Sequence, residues 1–141
     1  MPPARPGPAP HVIALDGDSG CISEARAAAR RFLVEARDEY HLAVPEAMVE
    51  NAQLVVSELV TNVVKYAPGA GLLELRIDGT GLRIQVGDSG PAQPLVHAAD
   101  PHRIGQHGLE IVALLADTLT VRSTGPGKQV IATLALPAHT S

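Results

Sequence analysis

The stretch Leu54-Val55-Val56-Ser57-Glu58-Leu59-Val60-Thr61-Asn62-Val63-Val64-Lys65-Tyr66-Ala67 constrains this chain more than any other. It reads as a strongly apolar helix that nevertheless carries Glu58, Asn62, Lys65 and Tyr66. Those positions fall at i, i+4, i+7 and i+8 and share one face over about two turns. A carboxylate, an amide and an ammonium cost free energy to bury unless each finds a partner. The stripe therefore faces either water or a ligand, and the rest of the chain has to decide which.

At 141 residues the chain is a single-domain length with room for one real core. Only 2% of it is aromatic, with no Trp, so Leu, Val, Ile and Ala must build that core. A net charge of −4 and no basic cluster argue against a nucleic-acid partner. No apolar run reaches the roughly 18 residues of a transmembrane helix, which argues against a membrane role. The single cysteine, Cys21, excludes an intrachain disulfide and reads as a small residue at a helix start. Residues 1–10 are rich in Pro and lack the continuous apolar segment of a signal peptide. They predict a disordered arm ahead of a domain over 11–137 and a short tail over 138–141, in a cytoplasmic protein.

Taken in order, His11 to Leu15 is a short strand stopped by Asp16-Gly17-Asp18-Ser19-Gly20. From Ser23 a helical pattern places Ile22, Ala25, Ala29, Phe32, Leu33, Ala36 and Tyr40 on one face, with Ser19 or Ser23 as candidate cap. Pro45 opens a second helix, which contains the polar stripe and stops at Pro68-Gly69. Leu72 to Ile77 and Leu82 to Val86 flank Asp78-Gly79-Thr80-Gly81 as a hairpin. The loop from Gly87 to His107 is long enough to suggest a functional lid or disorder. A third helix starts near Gly108, and two strands, Thr118 to Arg122 and Val130 to Leu136, flank Gly125-Pro126-Gly127-Lys128. The order β-α-α-β-β-α-β-β predicts an α+β two-layer sandwich, a mixed and mostly antiparallel sheet with three helices on one face.

Three features fall at the ends of these elements. Asp88-Ser89-Gly90 follows a strand; an aspartate there can accept a hydrogen bond from an exocyclic amine, and a glycine lets a flat ring approach the backbone. Gly105-Gln106-His107-Gly108 leads into a helix whose exposed N–H groups can cradle phosphate oxygens. The Gly125-Pro126-Gly127-Lys128 hairpin comes last. Each alone is common; their order behind an Asn-bearing helix is the stronger signal.

That order resembles the ATP-binding domain shared by histidine kinases, gyrase-type ATPases and the serine kinases that act as anti-sigma factors, the GHKL superfamily with its Bergerat-type fold. Ser57 to Asn62 and Gly105 to Val112 are most similar to the small stand-alone actinobacterial anti-sigma-factor-like proteins. The resemblance implies that Asn62 gives its side-chain oxygen to a Mg²⁺ that bridges the ATP phosphates. It implies that Asp88 bonds the adenine amine, that Gly90 makes room for the ring, and that Gly105, His107, Gly108 and Leu109 belong to the phosphate lid. Lys65 would neutralise phosphate charge with Tyr66 beside it, and Glu58 would be the general base that deprotonates a substrate hydroxyl. The sequence departs from the pattern where Pro91-Ala92 replaces the second glycine after Gly90. Gln129 also stands where relatives carry Thr, with Thr133 a possible substitute.

The function so implied is a Mg·ATP-dependent serine/threonine protein kinase and anti-sigma factor. It would sequester a sigma factor and phosphorylate a STAS-type anti-anti-sigma antagonist, as a homodimer formed through the sheet side. The competing reading is a nucleotide-gated adaptor that binds its partner without phosphorylating it. A histidine-kinase catalytic half is disfavoured, because His41 is followed by Leu42-Ala43 rather than an acidic residue. His97, His102 and His107 are regularly spaced, but three histidines on a loop lack the fixed scaffold of a zinc site and are read as solvated.

Overall fold

The structure, a computed structural model, describes residues 8–16, 18, 20–66, 71–78, 81–88, 106–124 and 127–137. Of residues 64–66, 88, 106–108, 123–124 and 127–128 only the backbone is described. Most of the expected N-terminal arm, the Pro68-Gly69 stop, the tips of both hairpins, the loop histidines His97 and His102, and the tail over 138–141 lie outside those residues.

Among the described residues, five strands and three helices follow the expected order: β1 (His11–Leu15), α1 (Gly20–Asp38), α2 (Glu46–Tyr66), β2 (Gly71–Ile77), β3 (Gly81–Asp88), α3 (Gln106–Leu115), β4 (Thr118–Thr124) and β5 (Gly127–Ala135). The sheet order is β1-β2-β3-β5-β4, and every neighbouring pair is antiparallel. Alternation explains why only one face takes helices. Leu73 and Leu75 of β2, Leu82, Ile84 and Val86 of β3, and Val130, Ala132 and Leu134 of β5 are buried at every second position. Between them, Leu72, Arg76 and Ala135 are exposed.

The helices supply the other half of the core. Helix α1 buries Ala25, Ala29, Phe32, Leu33 and Ala36, and α2 buries Met48, Val49, Ala52, Val55, Val56, Leu59, Val60 and Val63. Small residues on α1 let the two helices pack closely. Helix α3 packs along α2 and buries Val112, while Leu114 stays 85% exposed.

Several element ends differ from the sequence expectation. Ser23 lies inside α1 and Ser19 lies outside the described residues; the Asp18 carboxylate accepts the Gly20 N–H at 3.4 Å while its carbonyl accepts from Cys21 at 3.0 Å. An acidic group there also suits the positive end of the helix dipole. Pro45 is the last residue before α2, its carbonyl accepting from Met48 and Val49. The turn between α1 and α2 depends on His41 in the left-handed region at φ 59°, which lets the Leu42 N–H reach back to the Ala36 carbonyl at 3.1 Å. Gln53 of α2 then donates to the Arg26 carbonyl of α1 at 3.0 Å, and Arg30 bonds Glu46 at 2.8 Å.

Candidate functional site

The polar stripe of α2 stands on the flank that the sheet does not cover. Ser57, Glu58, Thr61 and Asn62 are half-buried, whereas Val55, Val56, Leu59, Val60 and Val63 on the opposite flank are buried. Glu58 lies one turn before Asn62, a rise of about 6 Å along the axis. Among the described residues Glu58 makes no ion pair.

Asn62 carries the sharpest observation. Its Oδ1 is buried and has no hydrogen-bond partner among the described residues. Buried polar atoms almost always find one, because leaving an amide oxygen unpaired costs about 1–3 kcal/mol. An unpaired neutral oxygen is also the donor type that Mg²⁺ accepts, with water completing its octahedron. The residue's chemistry therefore fits the metal that the family resemblance implies for it.

The sheet brings the second element of the site to the same region. Asp88 is the last residue of β3, two residues beyond the expected end at Val86, and pairs with Gly71 of β2. Gly71 in turn lies within van der Waals reach of Val63, the residue after Asn62. Lys65 and Tyr66 belong to the last turn of α2. His107 and Gly108 belong to the first turn of α3, which begins at Gln106 rather than near Gly108. Leu109 is partly buried against the core and so anchors the first turns of α3. Gly90 and Gly105 lie outside the described residues, as does Arg103.

Thr133 is not brought to this region. It pairs with Arg83, five residues before Asp88, a separation of about 17 Å along the strand. Its hydroxyl shares a hydrogen bond with Thr118 on the neighbouring strand. The side chain therefore cannot stand in for a threonine beside Asp88. The reason is register: Gln129 is the residue that pairs with Gly87, and its Oε1 accepts from Arg122 at 3.4 Å. Sequence reasoning also passed over Gly71, whose place after Pro68-Gly69-Ala70 reads as one more turn glycine.

Among the described residues no three His, Cys, Asp or Glu side chains gather into a metal cluster. No helix among them is long and apolar enough to cross a membrane. Among the described residues the region offers an unpartnered amide oxygen, a carboxylate without an ion pair one turn away, and a strand-end aspartate.

The histidine kinase-like ATPase domain family matches residues 21–134. No curated protein matches the sequence. Among solved structures, the crystal structure of the RsbU and RsbW domains of Rv1364c from Mycobacterium tuberculosis is similar with a TM-score of 0.66 and 20% identity. The match covers 95% of this chain and 35% of that one, so this chain spans about a third of the other's length.

Proposed function

The chain belongs to the histidine kinase-like ATPase domain family, and on that premise we propose that it binds Mg·ATP and acts as a serine/threonine protein kinase of the anti-sigma type. Its substrate is a serine or threonine hydroxyl on a STAS-type anti-anti-sigma protein, its sequestered partner is a sigma factor, and the working unit is a homodimer. The observation that carries the reading is the buried Oδ1 of Asn62, unpartnered among the described residues, on the helix that also presents Glu58.

Bound Mg²⁺ supplies charge neutralisation on the phosphates, and Asn62 would hold it through its amide oxygen. Asp88 accepts from the adenine amine and so selects the base. Lys65 adds positive charge at the end of α2. The first turn of α3 would offer its N–H groups to the phosphates. Glu58 accepts the proton of the acceptor hydroxyl as its oxygen attacks the γ-phosphorus and the bond to the β–γ bridging oxygen breaks. Phosphoryl transfer needs mainly positioning and neutralisation, so a sparse set of residues is sufficient.

A second reading keeps ATP binding and omits transfer. It is favoured by Gln129, which occupies the position beside Gly87 and is bonded to Arg122. The two readings separate in one assay with radiolabelled ATP, Mg²⁺ and candidate anti-anti-sigma proteins. The kinase reading expects phosphoserine or phosphothreonine on the partner, reduced roughly a hundredfold or more in Glu58→Ala as for loss of a general base. Partner binding that depends on ATP with no label transferred leaves the adaptor. If Asn62→Ala binds Mg·ATP as tightly as wild type, the site assignment is wrong.

A further inference from the structure

Gly71 is buried at the start of β2 and pairs with Leu15 of β1 on one side and with Asp88 of β3 on the other. A Cβ at this position would stand 3.0 Å from the Gly87 carbonyl oxygen, 3.5 Å from Val63 Cγ1 and 3.7 Å from Leu15 Cδ1. The backbone here is not in the left-handed region, so glycine is needed for room and not for conformation. The tightest of the three contacts is with a main-chain atom. That oxygen belongs to the peptide joining Gly87 to Asp88, and it cannot swing aside as a side chain would.

We infer that Gly71 is a positioning residue for nucleotide recognition, setting where the end of β3 that carries Asp88 stands against the turn of α2 that carries Asn62. The inference rests on the ATP reading of that site. Its content is the direction of the effect. A methyl at 71 meets the Gly87 carbonyl before it meets Val63, because 3.5 Å is ordinary van der Waals contact and 3.0 Å is not. The Asp88 side therefore moves first, while α2, held by its own buried face, keeps Asn62 in place. Adenine recognition should suffer more than phosphate and metal recognition.

The experiment compares Mg·ATP with Mg²⁺ plus inorganic triphosphate, which lacks the base, by titration calorimetry on wild type and Gly71→Ala. Circular dichroism establishes that the variant is folded. The expected result is ATP affinity weakened roughly tenfold or more, as for loss of one charge-assisted hydrogen bond, with triphosphate affinity changed by less than about twofold. Equal weakening of both ligands, or of neither, overturns the inference. If Gly71→Ala does not fold, the double variant with Val63→Ala has room on the helix side and is measured against Val63→Ala alone. Wild-type protein that binds no ATP overturns the ATP reading and this inference together; wild-type binding with no selective loss in the variant overturns this inference only.

Discussion

The two ends of the β3–β5 pair treat their polar groups differently. At the end where β3 begins, the Asp117 carboxylate accepts the Ala135 N–H at 2.6 Å and its own N–H reaches the Thr133 carbonyl at 2.7 Å. Beside them the Asp78 carboxylate accepts from Gly81 at 3.2 Å, and Thr118 bonds Thr133. At the end where β3 finishes, Asn62 keeps a buried oxygen without a partner and Glu58 makes no ion pair among the described residues. Polar groups that serve the fold are satisfied by the fold. Those at the other end have no partner among the described residues, the pattern that a ligand site would leave.

The largest expected effect lies at the satisfied end. A Cβ on Gly81 would approach the Leu134 carbonyl oxygen to 2.4 Å and the Ala135 Cα to 2.9 Å, where β3 meets β5. Main-chain atoms in a sheet have no rotamer to escape into, so Gly81→Ala should cost about 3 kcal/mol, measurable by urea unfolding. A neutral result would mean that this end is loosely held and that the contrast between the ends is false.

A smaller effect tests the contrast directly by removing one polar side chain from each end. Asp117→Ala deletes a working acceptor and should destabilise by about 1 kcal/mol. Asn62→Ala deletes an acceptor with no partner among the described residues, so its stability should change by less than about 0.5 kcal/mol in either direction, while Mg·ATP affinity falls. Equal destabilisation by both would show that Asn62 is a structural amide, and the site reading would lose its main support.

How much of this was legible beforehand follows from which residues carry periodic signals. Alternation in Leu73, Leu75, Leu82, Ile84 and Val86 announced the hairpin, and the apolar face of α2 announced its helix, because burial imposes those periods. Asn62 was legible for the opposite reason: it broke its helix's pattern. Register was not legible. Thr133 and Gln129 differ by four positions on one strand, and only the pairing with β3 places Gln129 beside Gly87 and Thr133 about 17 Å away from Asp88. Space was not legible either. Gly71 and Gly81 look alike in a sequence, yet one faces a contact of 3.0 Å and the other of 2.4 Å. Asp18 was passed over because two aspartates, Asp16 and Asp18, offer acceptors in the same turn.

The smallest effect concerns a third region, which limits the lesson drawn from the other two. Glu46 at the start of α2 is fully partnered, by Arg30 at 2.8 Å and Arg37 at 3.6 Å. The Arg30 hydrogen bond, reinforced by Arg37, holds its carboxyl below the ordinary value of 4.5. The folded state thus favours the ionised form, and the stabilisation is present above that ordinary value. It is lost as the pH falls through the lowered one. Both sides of the pair are about half exposed, so solvent and salt screen it and the gain is slight. Glu46→Gln should therefore unfold at nearly the wild-type urea midpoint at pH 7, and the small difference that exists should vanish in acid. A large loss at pH 7 would show that having a partner matters more than being buried, and the contrast between the two ends would then need no site to explain it.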